Sequence, residues 1–242
     1  MSTEAELRDQ VATLTRIFAM RGLLGLHGHI SGYDPDSGRI YMCPGFGWDK
    51  ATTRPEDLFV FDPQGKILEG EGRRVPIEWP IHTTLHATRP DALAVAHLHS
   101  RYATAFAVTG RELRPVLLSG ALFAEGVPIF PEQRLITTPE LSQRVTQLIG
   151  GRPAALLRNH GTVVAARSLQ ELLLVSMLLE DTARAAVEAA PLGDLDFLDP
   201  EESGRFERDA TLDVRARLAW NYFVGQEARW DRQPPIGGGP LA

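Results

Sequence analysis

Cysteine and lysine are the residues that this chain uses least. Its 242 residues include one cysteine, Cys43, which excludes an intrachain disulfide framework and a zinc site built from several cysteines. The chain has two lysines, Lys50 and Lys66, and each lies beside turn-forming residues. A Schiff-base enzyme needs a lysine removed from water, and neither position suggests one. Any carbonyl chemistry is therefore predicted to use a metal or another kind of nucleophile.

Excess positive charge and long hydrophobic runs are also missing. The formal net charge is −6 at pH 7, which makes nucleic acid and anionic membranes poor partners. The longest apolar stretch, residues 172–179, is far shorter than the ~20 residues that span a membrane. The opening sequence MSTEAELRDQ is polar and acidic, unlike a signal peptide. We therefore expect a cytoplasmic protein.

The hydrophobic pattern predicts a single mixed α/β domain over residues 1–242. Apolar residues make up 43% of the chain and charged residues 23%, which is typical of globular proteins. Helical spacing and capping signals predict helices over residues 4–21, 80–88, 101–108, 138–149 and 168–190. Short apolar runs between turn residues predict strands over residues 28–32, 39–42, 57–61, 66–68, 92–99, 116–118, 127–130, 154–157 and 162–165. A helical extension is expected at about 193–232, followed by a loose tail at 233–242.

Two histidines on one predicted strand are the clearest candidate metal ligands. His97 and His99 are two residues apart, so both imidazoles project from the same face of the strand. His160, in the turn Asn159-His160-Gly161 between two predicted strands, is the natural third ligand. The alternatives are strand-end histidines bonded to the backbone and a turn histidine without a ligand. Three imidazoles with an open fourth position are typical of a catalytic metal site.

The segment around residue 80 offers a carboxylate and two further histidines. Glu78 precedes a helix that starts at Pro80, where it could serve as a fourth ligand, as a general acid/base or as a charge at the helix N-terminus. His82 and His86 lie four residues apart and resemble a helical metal face. Thr83 occupies the position of the zinc-protease glutamate, however. We therefore expect packing or supporting roles for these two histidines.

Another pair of histidines flanks Gly28. The glycine indicates a close approach of backbone. His29 could contact a carboxylate of the substrate, whereas His27 is expected to be structural.

Several short motifs, taken together and in order, resemble the class II aldolase/adducin family over about residues 4–190. They are Gly28-His29-Ile30-Ser31, Pro55-Glu56-Asp57-Leu58, Glu78 before Pro80 and His82, Arg89-Pro90-Asp91, His97-Leu98-His99-Ser100 and Asn159-His160-Gly161. The resemblance implies a three-layer α/β/α fold around a mostly antiparallel sheet, and a homo-oligomer, usually a tetramer. It implies that His97, His99 and His160 hold one divalent ion, Zn²⁺ or Mn²⁺ (with Co²⁺ or Fe²⁺ also suitable), and that Glu78 is catalytic.

Departures from the family's sugar-phosphate aldolases bear on the substrate. Those enzymes have an asparagine where His29 stands, and they hold phosphate with hydroxyl side chains that are missing here. Pro76-Ile77 precede the glutamate, and residues 43–47 read Cys-Pro-Gly-Phe-Gly. Phe46, Trp48 and Trp79 are aromatic and suit a flat ring.

The sequence therefore looks more like the family's decarboxylase branch. The resemblance implies a metal-dependent carbon–carbon lyase that decarboxylates a hydroxylated aromatic or pyridine (di)carboxylate in aromatic compound catabolism. His29 would hold or protonate the substrate, and Phe46 and Trp48 would contact it. The alternatives are an aldolase or epimerase acting on a sugar phosphate or 2-keto acid, an Fe(II) oxygenase on the same fold, and a scaffold with a vestigial metal site.

Overall fold

A computed structural model describes residues 3–70, 72–209 and 211–230 of the chain. Its strands form one sheet in the order β4-β3-β2-β1-β5-β8-β7-β6. The β6–β7 pair is parallel and the other neighbouring pairs are antiparallel, which confirms the expected mostly antiparallel sheet. The strands are β1 (His29–Asp34), β2 (Arg39–Met42), β3 (Phe59–Phe61), β4 (Ile67–Glu69), β5 (Ala94–Leu98), β6 (Ile129–Phe130), β7 (Ala154–Leu157) and β8 (Gly161–Ala166).

Side-chain caps mark the start of several helices. Ser168 accepts a hydrogen bond from the backbone N–H of Glu171 at 3.1 Å, and Thr138 accepts one from the backbone N–H of Leu141 at the start of the helix predicted over 138–149, as expected of N-cap side chains. Among the described residues, no helix combines the length and hydropathy needed to cross a bilayer. The helices are α1 (Glu4–Met20), α2 (Trp79–Thr88), α3 (Arg101–Thr109), α4 (Pro139–Ile149), α5 (Leu169–Ala189), α6 (Pro200–Asp209) and α7 (Leu212–Trp230).

One predicted segment differs from the structure. Residues 116–118 are not a strand: the chain enters a 3₁₀ helix, Leu118–Phe123, which packs on α5 and buries Phe123 in the core. Leu117 and Leu118 are 43% and 53% exposed, so this apolar run is not a buried strand of the sheet. Within the helical extension expected at 193–232, the described residues form two helices: α6, which has Pro200 in its first turn, and α7. The expected loose tail, 233–242, lies outside the described residues.

Side chains along the central strand β5 alternate between two hydrophobic clusters. Ala94, Ala96 and Leu98 belong to a cluster that includes buried residues of α1, α3 and α5. Val95 belongs to a second cluster, which includes residues of α2 and α4. Because successive side chains of a strand point to opposite faces, His97 shares the face of Val95. The candidate ligand therefore lies on the side of the sheet that α2 covers.

Two glycines allow the backbone to close around the end of β5. Gly28 has φ +85°, and a Cβ there would lie 2.9 Å from the carbonyl oxygen of His97. A Cβ at Gly161 would overlap the carbonyl oxygen of Leu98. Any larger residue at either position would push its chain segment away from His97 and His99.

A tight turn positions the start of α2. The backbone N–H of Gly65 donates to the carbonyl of Asp62 at 3.0 Å, and the turn lies against Trp79, the first residue of α2. The indole of Trp79 also stacks on Phe61, with ring centroids 6.1 Å apart. The turn and β3 together hold the indole, and Glu78 directly precedes it.

Replacing Gly65 should destabilise the protein more than replacing a matched glycine. Gly65 (φ +85°) and Gly38 (φ +70°) both adopt left-handed backbone, but only a Cβ at Gly65 would overlap the Trp79 indole. We expect Gly38→Ala to cost about 1 kcal/mol from backbone strain, and Gly65→Ala to cost about 2–4 kcal/mol because overpacking adds to it. Urea denaturation measures both losses. Equal losses would contradict the packing role of Gly65.

Candidate active site

The fold brings the three predicted histidines together at one end of the sheet. His97 belongs to β5, His99 follows that strand directly, and His160 lies in the turn between β7 and β8. Their candidate ligand atoms all lie within 4.8 Å of one another. The turn is built by Asn159, which has left-handed backbone at φ +54°, a conformation that asparagine tolerates better than most residues.

The protonation pattern of the triad fits a cation. The Nδ1–H of His97 donates to the carbonyl of Thr162 at 3.0 Å, so the lone pair of a neutral ring is on Nε2. That Nε2 lies 3.1 Å from Nε2 of His99, and no described residue hydrogen-bonds either buried ring nitrogen of His160. Burial, with a smaller contribution from the imidazoles of His97 and His160, lowers the pKa of His99 to about 3. Three converging imidazoles suit a divalent metal ion.

Glu78 adds a carboxylate to the triad. Its Oε2 lies 3.3 Å from Nε2 of His97 and 3.4 Å from Nε2 of His160. Its Oε1 accepts a hydrogen bond from the backbone N–H of Ile136 at 2.7 Å. Burial raises the pKa of the Glu78 carboxyl, but the interactions with the two histidines outweigh burial and hold that pKa below its ordinary value. The carboxylate can complete a coordination sphere or accept a proton.

A cavity of about 440 Å³ opens beside the histidines and Glu78, within the usual range for small-molecule sites. It contains the predicted residues His29 and Phe46 but not Trp48, whose indole Nε1–H donates to the hydroxyl of Thr53 at 3.2 Å. The cavity is lined by His27, Gly28, His29, Phe46, Arg74, Val75, Pro76, Ile77, Glu78, His99, Leu135 and His160.

One wall of the cavity combines aromatic rings with a cation. The imidazole of His27 stacks on that of His99, with centroids 5.1 Å apart, and lies 5.0 Å from the ring of Phe46. The guanidinium of Arg74 lies 5.7 Å from the centroid of Phe46. This wall offers flat surfaces and one positive charge to a ligand.

Arg74 and the backbone amide of Ile136 were missed by sequence reasoning. A backbone N–H leaves no trace in residue identity. Arg74 belongs to the pair Arg73-Arg74, and nothing in that pair indicates which of the two faces a cavity.

The prediction that neither lysine is removed from water is wrong for Lys50. Its side chain is buried, and its Nζ donates to the carbonyl of Gly45 at 2.6 Å. Burial lowers the pKa of Lys50. Lys50 is not among the residues that line the cavity. Its hydrogen bond instead supports the loop that carries Phe46.

Behind the cavity, His82 and His86 of α2 are fully buried and bonded to β1. Nε2 of His82 lies 2.7 Å from Nδ1 of His29. The hydroxyl of Ser31 lies 2.7 Å from Nδ1 of His82 and 2.8 Å from Nε2 of His86. Neither histidine belongs to the candidate metal cluster of the described residues, in agreement with the supporting role expected for them.

Known proteins share both the sequence pattern and the fold. The chain is 34% identical over 236 residues to a 3,4-dihydroxyphthalate decarboxylase of Rhodococcus jostii (strain RHA1), an alignment that covers 91% of this chain and 96% of that protein. It is 27% identical to a 5-deoxy-D-ribulose 1-phosphate aldolase of Bacillus thuringiensis serovar kurstaki, over 81% of this chain and 91% of that protein. The solved structure of an L-fuculose 1-phosphate aldolase matches with a TM-score of 0.78 and 25% identity, over 86% of this chain and 97% of that chain.

A family model described as the class II aldolase and adducin N-terminal domain matches residues 9–187, which include every residue of the triad and Glu78. The resemblance inferred from the motifs is thereby confirmed, and the chain belongs to the class II aldolase and adducin family.

Proposed function

We propose that the protein is a divalent-metal-dependent carbon–carbon lyase that decarboxylates a hydroxylated aromatic dicarboxylate. The observation that carries this proposal is the cavity, which joins the histidine triad and Glu78 to a wall of aromatic rings and one guanidinium. The relatives named 3,4-dihydroxyphthalate decarboxylase support it. None of the described residues that line the cavity is a serine or threonine, which counts against a sugar phosphate as substrate.

His97, His99 and His160 would hold the metal ion. When bound, the ion acts as a Lewis acid that draws electron density from a carboxylate and an adjacent ring hydroxyl. Zinc and manganese both suit three imidazoles with a carboxylate, as do cobalt and Fe(II).

Glu78 is proposed to move the proton. Its carboxylate is ionised at neutral pH, because its pKa is held below the ordinary value, and it can accept the proton of the ring hydroxyl. The bond between the ring carbon and the carboxylate carbon then breaks, carbon dioxide leaves, and the electron pair stays on the ring carbon. Glu78 returns its proton to that carbon, and the hydroxyl regains a proton from water.

Phe46, Arg74 and His29 are proposed to hold the substrate. The ring of Phe46 offers a face for stacking. The guanidinium of Arg74 pairs with the carboxylate that is not lost, and His29 contacts a ring hydroxyl. Trp48 was expected to contact the substrate, but its bond to Thr53 favours a role in shaping the loop around Phe46.

We also propose a three-layer arrangement, a homo-oligomeric state and a cytoplasmic location for the protein. Helices packed against both hydrophobic clusters support the three-layer arrangement. Leu26 and Ile77 are more than half exposed near the cavity, at 56% and 59%, which supports a homo-oligomeric contact there, a tetramer being the expected state. The single free cysteine supports a cytoplasmic location.

The proposed activity predicts metal-dependent release of carbon dioxide. The protein reconstituted with Zn²⁺ or Mn²⁺ should release carbon dioxide from one or more ortho-hydroxy aromatic or pyridine dicarboxylates, and EDTA should stop the release. Sugar 1-phosphates serve as comparison substrates in the same screen. Formation of dihydroxyacetone phosphate or an aldehyde from those, with no carbon dioxide from any ring compound, would replace the proposal by the aldolase alternative.

Glu78→Gln should lower kcat by about 10²–10⁴-fold, the usual contribution of a general acid/base. The amide keeps the size of the side chain and can still accept the Ile136 N–H bond, but it cannot take a proton. Steady-state kinetics measures the loss, and metal analysis shows whether the variant still binds one ion per chain. Full activity with a normal metal content would exclude the proton-transfer role.

Arg74→Gln should raise KM for the dicarboxylate by about 10–100-fold, because a hydrogen bond to a charged group contributes roughly 1.5–3 kcal/mol. Arg73→Gln is the matched control, since Arg73 lies over the ring of Phe59, 6.0 Å from its centroid, and does not line the cavity. We expect little change in KM for the control. Similar KM values for the two variants would show that Arg74 does not bind the substrate.

A further inference from the structure

A continuous chain of buried hydrogen bonds leads from the backbone just before β5 to the cavity. It consists of Ser31 and three histidines that are not in the metal triad, His29, His82 and His86, all of them buried. The chain begins at the carbonyl of Ala92, which precedes β5, and ends at His29, which lines the cavity. At each link, one of the two groups can act only as a donor or only as an acceptor. This restriction fixes which nitrogen of each ring carries the proton.

The first link fixes the state of His86. Its Nδ1 lies 2.6 Å from the carbonyl oxygen of Ala92, and a carbonyl oxygen can only accept, so Nδ1 carries the proton. Burial lowers the pKa of His86 to about 4, and the ring is therefore neutral at pH 7. A neutral imidazole has one N–H, which leaves a lone pair on Nε2.

The second link passes through the hydroxyl of Ser31. Because Nε2 of His86 has a lone pair, the hydroxyl must donate its one hydrogen there, at 2.8 Å. Its oxygen can then only accept from Nδ1 of His82, at 2.7 Å. Burial lowers the pKa of His82 well below its ordinary value, so this ring is also neutral and has its lone pair on Nε2.

The third link reaches the cavity. Nε2 of His82 lies 2.7 Å from Nδ1 of His29 and, with its lone pair, it can only accept. His29 must therefore have its proton on Nδ1, and a neutral ring then has the lone pair on Nε2. One backbone carbonyl thus determines the tautomer of three histidines.

We propose that Ser31, His82 and His86 are positioning residues that hold His29 in its Nδ1–H tautomer, so that its Nε2 accepts a hydrogen bond from a hydroxyl of the substrate. The inference rests on the proposed function for the identity of that hydroxyl. The chain of links itself does not depend on the reaction. With Nε2 as an acceptor, His29 should prefer a substrate with a free ring hydroxyl to the methyl ether of that substrate, which has no hydrogen to donate.

The tautomers can be read without measuring activity. Long-range ¹H–¹⁵N spectra of the zinc-loaded protein, labelled with ¹⁵N-histidine and assigned by single substitutions, distinguish protonated from bare ring nitrogens. We expect Nδ1 protonated and Nε2 bare in His29, His82 and His86 at pH 7. An Nε2–H tautomer in any of the three would overturn the proposal.

Variants at Ser31 test the function of the chain. Ser31→Ala removes the hydroxyl that, among the described residues, joins His82 to His86. It should shift the ¹⁵N pattern of His82 and His29 and lower kcat/KM for the hydroxylated substrate about 10-fold or more, with a normal metal content. Ser31→Thr keeps the hydroxyl and should restore most of the rate and the spectrum. Ser176→Ala is the control. Ser176 is also buried but lies on α5, so this variant should change neither the rate nor the spectrum.

The outcomes separate this inference from the proposed function. The expected tautomers, altered by Ser31→Ala but not by Ser176→Ala, support the positioning chain even if no ring dicarboxylate releases carbon dioxide, in which case only the proposed function fails. Release of carbon dioxide that is unaffected by Ser31→Ala, with unchanged spectra of His82 and His29, overturns the positioning chain and leaves the proposed function standing.

Discussion

The close approach of three backbone segments at the end of β5 is the constraint on which the site depends. Gly28 and Gly161 lie on either side of the carbonyl groups of His97 and Leu98, and neither position has room for a Cβ. This approach places His29 opposite His97 in the sheet and brings the turn with His160 within reach of the same point. The candidate site therefore forms where two glycines let neighbouring backbone segments pack directly against the end of β5.

Burial makes every polar atom at this point of the fold costly unless it has a partner. The histidines behind the cavity meet that requirement among themselves, through Ser31 and a backbone carbonyl. The triad does not, since both ring nitrogens of His160 lack a partner among the described residues. The same region therefore contains one set of imidazoles that hydrogen-bond within the protein and another whose free nitrogens could hold a metal ion.

The helices and most strands could be predicted because their signals are local. Ser168 and Thr138 mark helix starts by capping, and short apolar runs between turn residues mark most of the strands. Residues 116–118 were misassigned because the periodicity of a short apolar run does not distinguish a strand from a helical segment. The burial of Lys50 was missed for a related reason: turn-forming neighbours suggest the surface, whereas the loop folds inward until Nζ meets the Gly45 carbonyl.

The sequence by itself determined the family and indicated the three histidines of the candidate metal site. His97, His99 and His160 stand in short motifs whose residue types and order are specific when taken together, and two ligands on one strand are neighbours by local geometry. The sequence also named Glu78, His29 and Phe46, whereas the contacts that hold and complete the site were decided only by the tertiary structure. The amide that holds Glu78, the choice of Arg74 over Arg73 and the path from Ala92 to His29 join segments far apart in the chain. Such contacts depend on how helices and loops pack on the sheet, and no local pattern of residues records that packing.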